Sequence, residues 1–236
     1  MLPVAILAGG LGTRLGAISA TVPKILVEVA GRPFAEHQLD WLESQGVKHV
    51  VYCLGHLGEQ VVAALGDGSR WGMRFDFVMD GPVLLGTGGA LRRAMPGRAD
   101  RFFVLYGDSF LTCDLVAIAD AYAASGRRCL MTVLLNEDQW DASNVVYRDG
   151  AIINYDKKLR VPEMRHIDHG LGIISTDTLL SYPADRPLDL ATVYQDELKA
   201  GQLTGYEVQT RFYEIGSAQG LDETRAFVAA KSHRRK

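Results

Sequence analysis

Short apolar segments alternate with amphipathic segments along the first 135 residues, and this alternation constrains the fold more than any other feature of the sequence. Apolar runs predict buried strands at residues 3–7, 48–54, 74–79, 101–106 and 129–135. Helical spacing of apolar residues predicts helices at 35–45, 58–65, 88–95 and 115–124. Continuous apolar strands that alternate with helices indicate a parallel sheet covered on both faces. We therefore predict a Rossmann-like, three-layer α/β fold with a mixed, mostly parallel sheet.

The pattern changes after residue 136. Residues 144–147 and 151–155 flank an Asp149-Gly150 dipeptide, which predicts a β-hairpin. Short strands near 171–174 and 206–212 and helices at 190–200 and 219–231 predict a small α+β subregion. Because no Pro/Ser-rich linker separates the halves, we expect a single domain over residues 1–236, with a core at 1–135 and an added part at 136–236.

The composition excludes several classes of protein. A formal net charge of -3 argues against nucleic acid as the main partner. The three cysteines, Cys53, Cys113 and Cys129, form no CxxC pair, so neither a disulfide framework nor a zinc site is indicated. The opening residues MLPVAILAGG have no basic region, and no apolar run reaches the roughly 20 residues that span a bilayer. We expect a cytoplasmic protein without membrane contact.

A glycine-rich loop follows the first predicted strand. The sequence LAGGLGTRL contains Gly9, Gly10 and Gly12, and it is followed by a Pro-Lys pair that ends at Lys24. Glycine lets the backbone fold around phosphate oxygens, while Arg14 and Lys24 would neutralise a triphosphate. The loop matches neither the Walker A pattern nor GxGxxG. The pattern therefore predicts a nucleoside triphosphate site and disfavours a dinucleotide-dependent oxidoreductase.

A carboxylate follows another predicted strand at Gly107-Asp108. Ligands of parallel sheets bind at the carboxyl ends of the strands. Mg²⁺ prefers oxygen ligands, usually one or two carboxylates together with phosphates and water. Asp108 is therefore a candidate Mg²⁺ ligand, and the alternative is a turn or helix N-cap residue.

Five segments together resemble one known family. They are LAGGLGTRL with its Pro-Lys pair, AGRPF at 30–34, GTGGA at 86–90, YGDSF at 106–110 and YEIGS at 213–217. In this order they are similar to the motifs of sugar-1-phosphate nucleotidyltransferases. The resemblance implies a glycosyltransferase-A-like fold and a Mg²⁺-dependent transfer from a nucleoside triphosphate to a sugar 1-phosphate. Residues 136–236 would then bind the sugar and complete the metal site.

The resemblance also implies roles for individual residues. The catalytic residues would be Arg14, Lys24 and Asp108, and the metal ligands would be Asp108 and Glu214, where the family more often has an aspartate. The nucleotide would contact a larger set of small and polar residues: Leu7, Ala8, Gly9, Gly10, Gly12, Thr13, Gly55, His56, Gly86, Thr87 and Gly88.

The sugar side departs from the family pattern. Where relatives carry F-x-E-K-P, this chain has the sequence YDKKL at 155–159; Lys158 matches the family lysine by register, and Lys157 is the alternative. Asp168 and Gly170 stand in the segment that resembles the family's N-A-G, and Asn144 lies where relatives often have R-[YF]-G. These residues would contact the sugar phosphate. His169 is either a sugar contact or a packed core residue.

Together, LAGGLGTRL, GRPF and LGTGGAL resemble most the guanylyltransferase branch of the family that acts on heptose 1-phosphate. This resemblance implies GTP with a heptose or mannose 1-phosphate, for bacterial surface polysaccharide synthesis. Two alternatives are a uridylyl- or other nucleotidyltransferase on a different sugar 1-phosphate, such as N-acetylmuramate 1-phosphate, and a regulatory protein that binds nucleotide sugars without turnover. The resemblance is also compatible with a homodimer.

Overall fold

A computed structural model describes residues 1–10, 21–81, 83–184 and 186–233. Within these ranges the central sheet has nine strands: β1 (Val4–Ala8), β4 (His49–Leu54), β5 (Arg74–Met79), β6 (Arg101–Tyr106), β8 (Cys129–Leu135), β9 (Val145–Arg148), β10 (Ala151–Tyr155), β11 (His166–Ser175) and β12 (Leu203–Val208). Four two-residue strands form two small ladders: β2 (Glu28–Val29) with β3 (Arg32–Pro33), and β7 (Ser109–Phe110) with β13 (Tyr213–Glu214). The helices are α1 (Phe34–Ser44), α2 (Gly58–Leu65), α3 (Gly86–Ala94), α4 (Leu115–Ser125), α5 (Thr176–Leu180), α6 (Leu190–Lys199) and α7 (Ala218–His233).

The strands β6, β1, β4 and β5 are neighbours in this order and run parallel. Their register places Leu7 opposite Tyr106 and Ala8 opposite Leu54. The segments that follow these strands therefore emerge at one edge of the sheet, as the ligand-binding rule for parallel sheets requires. This confirms the predicted parallel core.

Alternate residues of the central strands belong to two different apolar cores. Ile6 packs with one cluster, which also includes residues of α1, α4 and α7, while the adjacent Ala5 packs with a second cluster that includes residues of α3 and α6. Successive strand side chains point to opposite faces, so the sheet lies between two helical layers. The three-layer prediction is confirmed. Cys53, Cys113 and Cys129 are free thiols buried within these layers.

The second half of the chain continues the same sheet. β11 pairs antiparallel with β6 and with β8, and β8 in turn pairs parallel with β12. The sequence predicted β8 as part of the parallel core, because an apolar run does not reveal its strand partner. The predicted strand at 206–212 begins earlier, at Leu203, and α5 was not predicted. No helix in the described ranges is long and apolar enough to cross a membrane.

Candidate active site

A cavity of about 290 Å³ opens at the carboxyl edge of the parallel strands. Among its lining residues are eight that the sequence singled out: Leu7, Ala8, Gly9, Gly10, Lys24, Gly86, Thr87 and Asp108. These residues are spread over about 100 positions of the chain, so the fold brings distant motifs to one place. Gly12, Thr13 and Arg14 lie outside the described residues.

The walls of the cavity depend on a close approach between two backbone segments. A Cβ atom at Gly55 would lie 2.6 Å from the carbonyl oxygen of Gly9 and 3.1 Å from its Cα. Only glycine permits this distance, because any side chain would push the Gly9 segment away. Gly55 therefore packs directly against the backbone of Gly9 and helps to fix its position. His56 is exposed and does not line the cavity.

Lys24 and Asp108 form an ion pair at the floor of the cavity. Lys24 begins a short 3₁₀ turn, Lys24–Leu26, and its Nζ lies 2.9 Å from Oδ2 of Asp108. The side chains are only 16% and 30% exposed, so water screens the pair less than a surface salt bridge. An ammonium group and a carboxylate in direct contact are suited to exchange partners when a phosphate and a metal ion bind.

Glu214 lies beside this pair. The ladder of β7 and β13 places Glu214 opposite Ser109, and the backbone N–H of Ile215 donates to the carbonyl oxygen of Asp108 at 3.0 Å. The Glu214 Oε2, Lys24 Nζ and Asp108 Oδ2 atoms all lie within 3.4 Å of the position that a Cβ atom on Gly216 would take. Two carboxylates and one ammonium group therefore converge on a single point.

The Glu214 carboxylate also holds the start of α7. Its Oε2 accepts hydrogen bonds from the backbone N–H groups of Gly216 and Ser217, and its Oε1 accepts one from the Ser217 hydroxyl at 2.6 Å. The extra methylene relative to aspartate gives the side chain the length to reach this turn. Lone pairs remain on both oxygens, so capping does not exclude metal binding.

This donor set fits a hard divalent cation that also takes phosphate oxygens. Within the described ranges no group of three His, Cys, Asp or Glu residues could hold a metal by itself. Two carboxylates are the usual protein share for Mg²⁺ at a nucleotide site. Asp108 and Glu214 are therefore the candidate ligands.

The GTGGA segment is shaped by contact with the chain before α6. A Cβ atom at Gly86 would lie 2.6 Å from the carbonyl oxygen of Leu188, and one at Gly88 would lie 2.8 Å from Cγ of the same residue. The Thr87 hydroxyl donates to Asp189 at 3.1 Å and accepts the Leu190 N–H at 2.8 Å. These glycines serve packing, and nucleotide contact from Gly86 and Thr87, which line the cavity, stays a prediction.

Sequence reasoning missed Asp80, which also lines the cavity. It directly follows β5, is 7% exposed, and burial raises the pKa of its carboxyl group against the opposing effect of Arg93. The strand-end rule that identified Asp108 could have found it. Cys53 also lines the cavity, where burial raises the pKa of its thiol to about 12 and keeps it protonated.

The two candidate sugar-phosphate lysines have different surroundings. Lys157 Nζ lies 3.4 Å from Oδ2 of Asp168 and 5.4 Å from the centre of the Tyr106 ring. Burial is the largest single influence on the pKa of Lys157 and lowers it, but Asp168 and Tyr106 together raise it, and the net shift is upward. Lys158 is exposed, and its backbone N–H donates to Asp156. The geometry thus favours Lys157 as the candidate sugar-phosphate ligand. The sequence register had favoured Lys158.

Asp168 is buried rather than open to a ligand. Its side chain is 5% exposed, and Asn144 accepts its backbone N–H at 2.9 Å. Sugar hydroxyls therefore have little access to Asp168 for the expected hydrogen bonds. His169 is 1% exposed, contacts the Thr210 carbonyl oxygen through Nε2 at 2.9 Å, and has its pKa lowered to about 4 by burial. Its position is that of a packed core histidine.

Several known proteins are similar to this chain in sequence. The MobA-like NTP transferase domain matches residues 4–140. The D-glycero-alpha-D-manno-heptose 1-phosphate guanylyltransferase of Campylobacter jejuni is 25% identical over 212 residues, which are 89% of this chain and 93% of that protein. The UTP--glucose-1-phosphate uridylyltransferase of Synechocystis is 26% identical over 223 residues, 88% of this chain but only 58% of that protein.

Among solved structures, HddC from Yersinia pseudotuberculosis in complex with GMP-PN superposes with a TM-score of 0.78. Its identity is 24%, and the match covers 97% of this chain and 100% of that chain. At this identity the likeness shows the fold. The glycosyltransferase-A-like fold implied by the sequence motifs is thereby confirmed.

Proposed function

This chain belongs to the MobA-like NTP transferase domain family, and we propose that it transfers a nucleotidyl group from a nucleoside triphosphate to a sugar 1-phosphate, with release of pyrophosphate. The observation that carries the proposal is the convergence of Glu214 with Lys24 and Asp108, which line the same cavity as Gly9 and Gly10. A cation, two carboxylates and a glycine-rich backbone close together are suited to bind a metal–triphosphate.

The reaction needs charge compensation more than proton transfer. An oxygen of the sugar phosphate attacks the α-phosphorus and pyrophosphate leaves; since the nucleophile is already an anion, no general base is required. Two anions must be held in line and their charge balanced. Lys24 and Arg14 would contact the triphosphate, and Asp108 and Glu214 would hold Mg²⁺. When bound, Mg²⁺ would supply positive charge that offsets the charge of the phosphates.

For the substrates we propose GTP and a heptose or mannose 1-phosphate, with a role in bacterial surface polysaccharide synthesis. The guanylyltransferase of Campylobacter jejuni, which this chain covers almost fully, supports GTP. The Synechocystis relative uses UTP by its name, so a uridylyltransferase is the alternative. We propose that residues 1–135 bind the nucleotide and 136–236 the sugar phosphate. The cytoplasmic location and a homodimer stay predictions.

A pyrophosphate-release assay tests the proposal. The four nucleoside triphosphates are combined with glucose, mannose, N-acetylmuramic acid and heptose 1-phosphates in the presence of Mg²⁺, and Asp108→Asn serves as the inactive control. We expect turnover with one nucleotide and one sugar class. Turnover on no pair, from folded protein that still binds a nucleotide by thermal shift, would contradict the proposal and favour a binding protein.

A further inference from the structure

The carboxylate of Asp168 has all its close contacts within the protein. Its Oδ1 accepts the backbone N–H of Gly170 at 3.1 Å, and its Oδ2 accepts the hydroxyl of Tyr155 at 3.2 Å. Lys157 Nζ is a further neighbour of Oδ2, at 3.4 Å. A side chain only 5% exposed with these three donors has no need of a ligand.

Lys157, in contrast, is anchored by its neighbours but still accessible to a ligand. Its ammonium group lies 5.4 Å from the centre of the Tyr106 ring and 6.0 Å from that of Tyr155, distances at which an aromatic face attracts a cation. The side chain nevertheless remains 41% exposed. An ammonium group has three donors, so contacts with Asp168 and Tyr106 still leave one for an incoming anion.

The position of Tyr106 shows where Lys157 lies relative to the cavity. This residue lines the same cavity as Asp108 and Lys24. The ammonium group of Lys157 is therefore held beside the wall of the cavity in which the two phosphates would meet. A free lysine side chain loses rotamer entropy when it binds a ligand, and an anchored one has lost part of this entropy before the ligand binds.

We propose that Asp168 is a positioning residue that holds the Lys157 ammonium group beside Tyr106, where it binds the phosphate of the sugar 1-phosphate. The inference rests on the proposed function. It assigns Asp168 a role through Lys157 rather than a contact with the sugar ring. The hydrogen bonds from Tyr155 and Gly170 keep the carboxylate, and thereby the lysine, in a fixed place.

A double-mutant cycle tests this coupling. Steady-state kinetics are measured for the wild type, Asp168→Asn, Lys157→Ala and the double variant. Asp168→Asn keeps the shape but removes the charge, so we expect KM for the sugar 1-phosphate to rise about tenfold, which corresponds to ~1.4 kcal/mol. KM for the nucleotide should stay within about twofold, since Asp168 does not act on it. The double variant should be no worse than Lys157→Ala, because Asp168 acts through that lysine.

The matched control is Tyr155→Phe, which removes one donor to Asp168 without changing any charge. It should shift KM for the sugar 1-phosphate in the same direction by a smaller factor, and it carries the test if Asp168→Asn fails to fold. An unchanged or lower KM in Asp168→Asn, additive effects in the double variant, or an altered ranking of sugars would overturn the proposal.

A second measurement does not depend on turnover. The ¹⁵Nζ ammonium signal of a lysine becomes visible in NMR when an ion pair slows its exchange with water, and Lys157→Arg identifies the signal. We expect the Lys157 signal in the wild type and its loss in Asp168→Asn; its absence from the wild type would overturn the positioning role. A wild type inactive on every sugar phosphate would instead refute the proposed function, and the NMR result would still decide the role of Asp168.

Discussion

The substitution Gly55→Ala examines how closely the position of Gly9, in the glycine-rich segment after β1, depends on contact with Gly55. The new Cβ would lie 2.6 Å from the Gly9 carbonyl oxygen, about 0.8 Å short of an ordinary 3.4 Å contact. The neighbour is backbone and cannot rotate away, so the Gly9 segment must shift by most of that distance. Gly55 does not have a positive φ, and alanine therefore introduces no backbone strain of its own.

The expected result is a loss of activity larger than the loss of stability. Overpacking of this kind costs about 1–3 kcal/mol of unfolding free energy. A displacement near 1 Å in a site that aligns two reactants can cost about 100-fold in rate. We expect kcat/KM for the nucleoside triphosphate to fall roughly 10- to 100-fold in the pyrophosphate-release assay, while the protein stays folded at assay temperature.

Gly205→Ala is the matched control. Its Cβ would meet the Tyr147 ring, also at 2.6 Å, but in β12, which pairs with β8 and not with β1 or β4. This variant should lose some stability in thermal unfolding, less where the Tyr147 ring rotates away, and keep its nucleotide KM. Wild-type kcat/KM in Gly55→Ala, or an equal loss in both variants, would show that the loop does not depend on the contact between Gly9 and Gly55.

Three further predictions concern single residues. Lys24→Ala and Asp108→Asn should each lower kcat at least about 100-fold with little change in melting temperature, because each removes a charge that faces the reacting phosphates; near-normal turnover in Asp108→Asn would refute the metal assignment. Glu214→Gln should raise the Mg²⁺ concentration for half-maximal activity roughly tenfold, and an identical metal titration would remove Glu214 from the ligand set. The pKa of buried His169, at about 4, lies below its ordinary 6.5, so the unfolded state binds more protons between these values. The protein should therefore lose about 3 kcal/mol of stability from this group as the pH falls from 6.5 to 4. Urea unfolding of the wild type and His169→Gln should show this difference, and identical pH profiles would contradict it.

Much of the fold could be predicted because its signals are local. The apolar run before Gly9 and the helical spacing within α1 depend on neighbouring residues alone, and hydrophobic periodicity reports on them directly. The loop glycines, Lys24 and Asp108 could be selected for the same reason, since strand ends and residue types are visible in the sequence. The strand-end rule would have included Asp80 had it been applied to β5.

The partners of side chains could not be predicted in this way. The choice between Lys157 and Lys158 depends on which of them faces Asp168 and Tyr106, and these residues lie on β11 and β6. Successive residues in this segment differ in direction, so sequence register alone could not decide between two adjacent lysines. The glycines at 86 and 88 likewise suggested a ligand, yet the chain at Leu188 fills the space beside them.

The amino-acid sequence therefore determined the layered α/β architecture, the position of a glycine-rich segment after β1 and the family that its motifs resemble, because each of these depends on short stretches of neighbouring residues. Only the tertiary structure decided that Lys24, Asp108 and Glu214 meet at one point, that Asp168 is buried, and that His169 belongs to the core. Those outcomes depend on strand order and burial, which arise when segments far apart in the chain pack together.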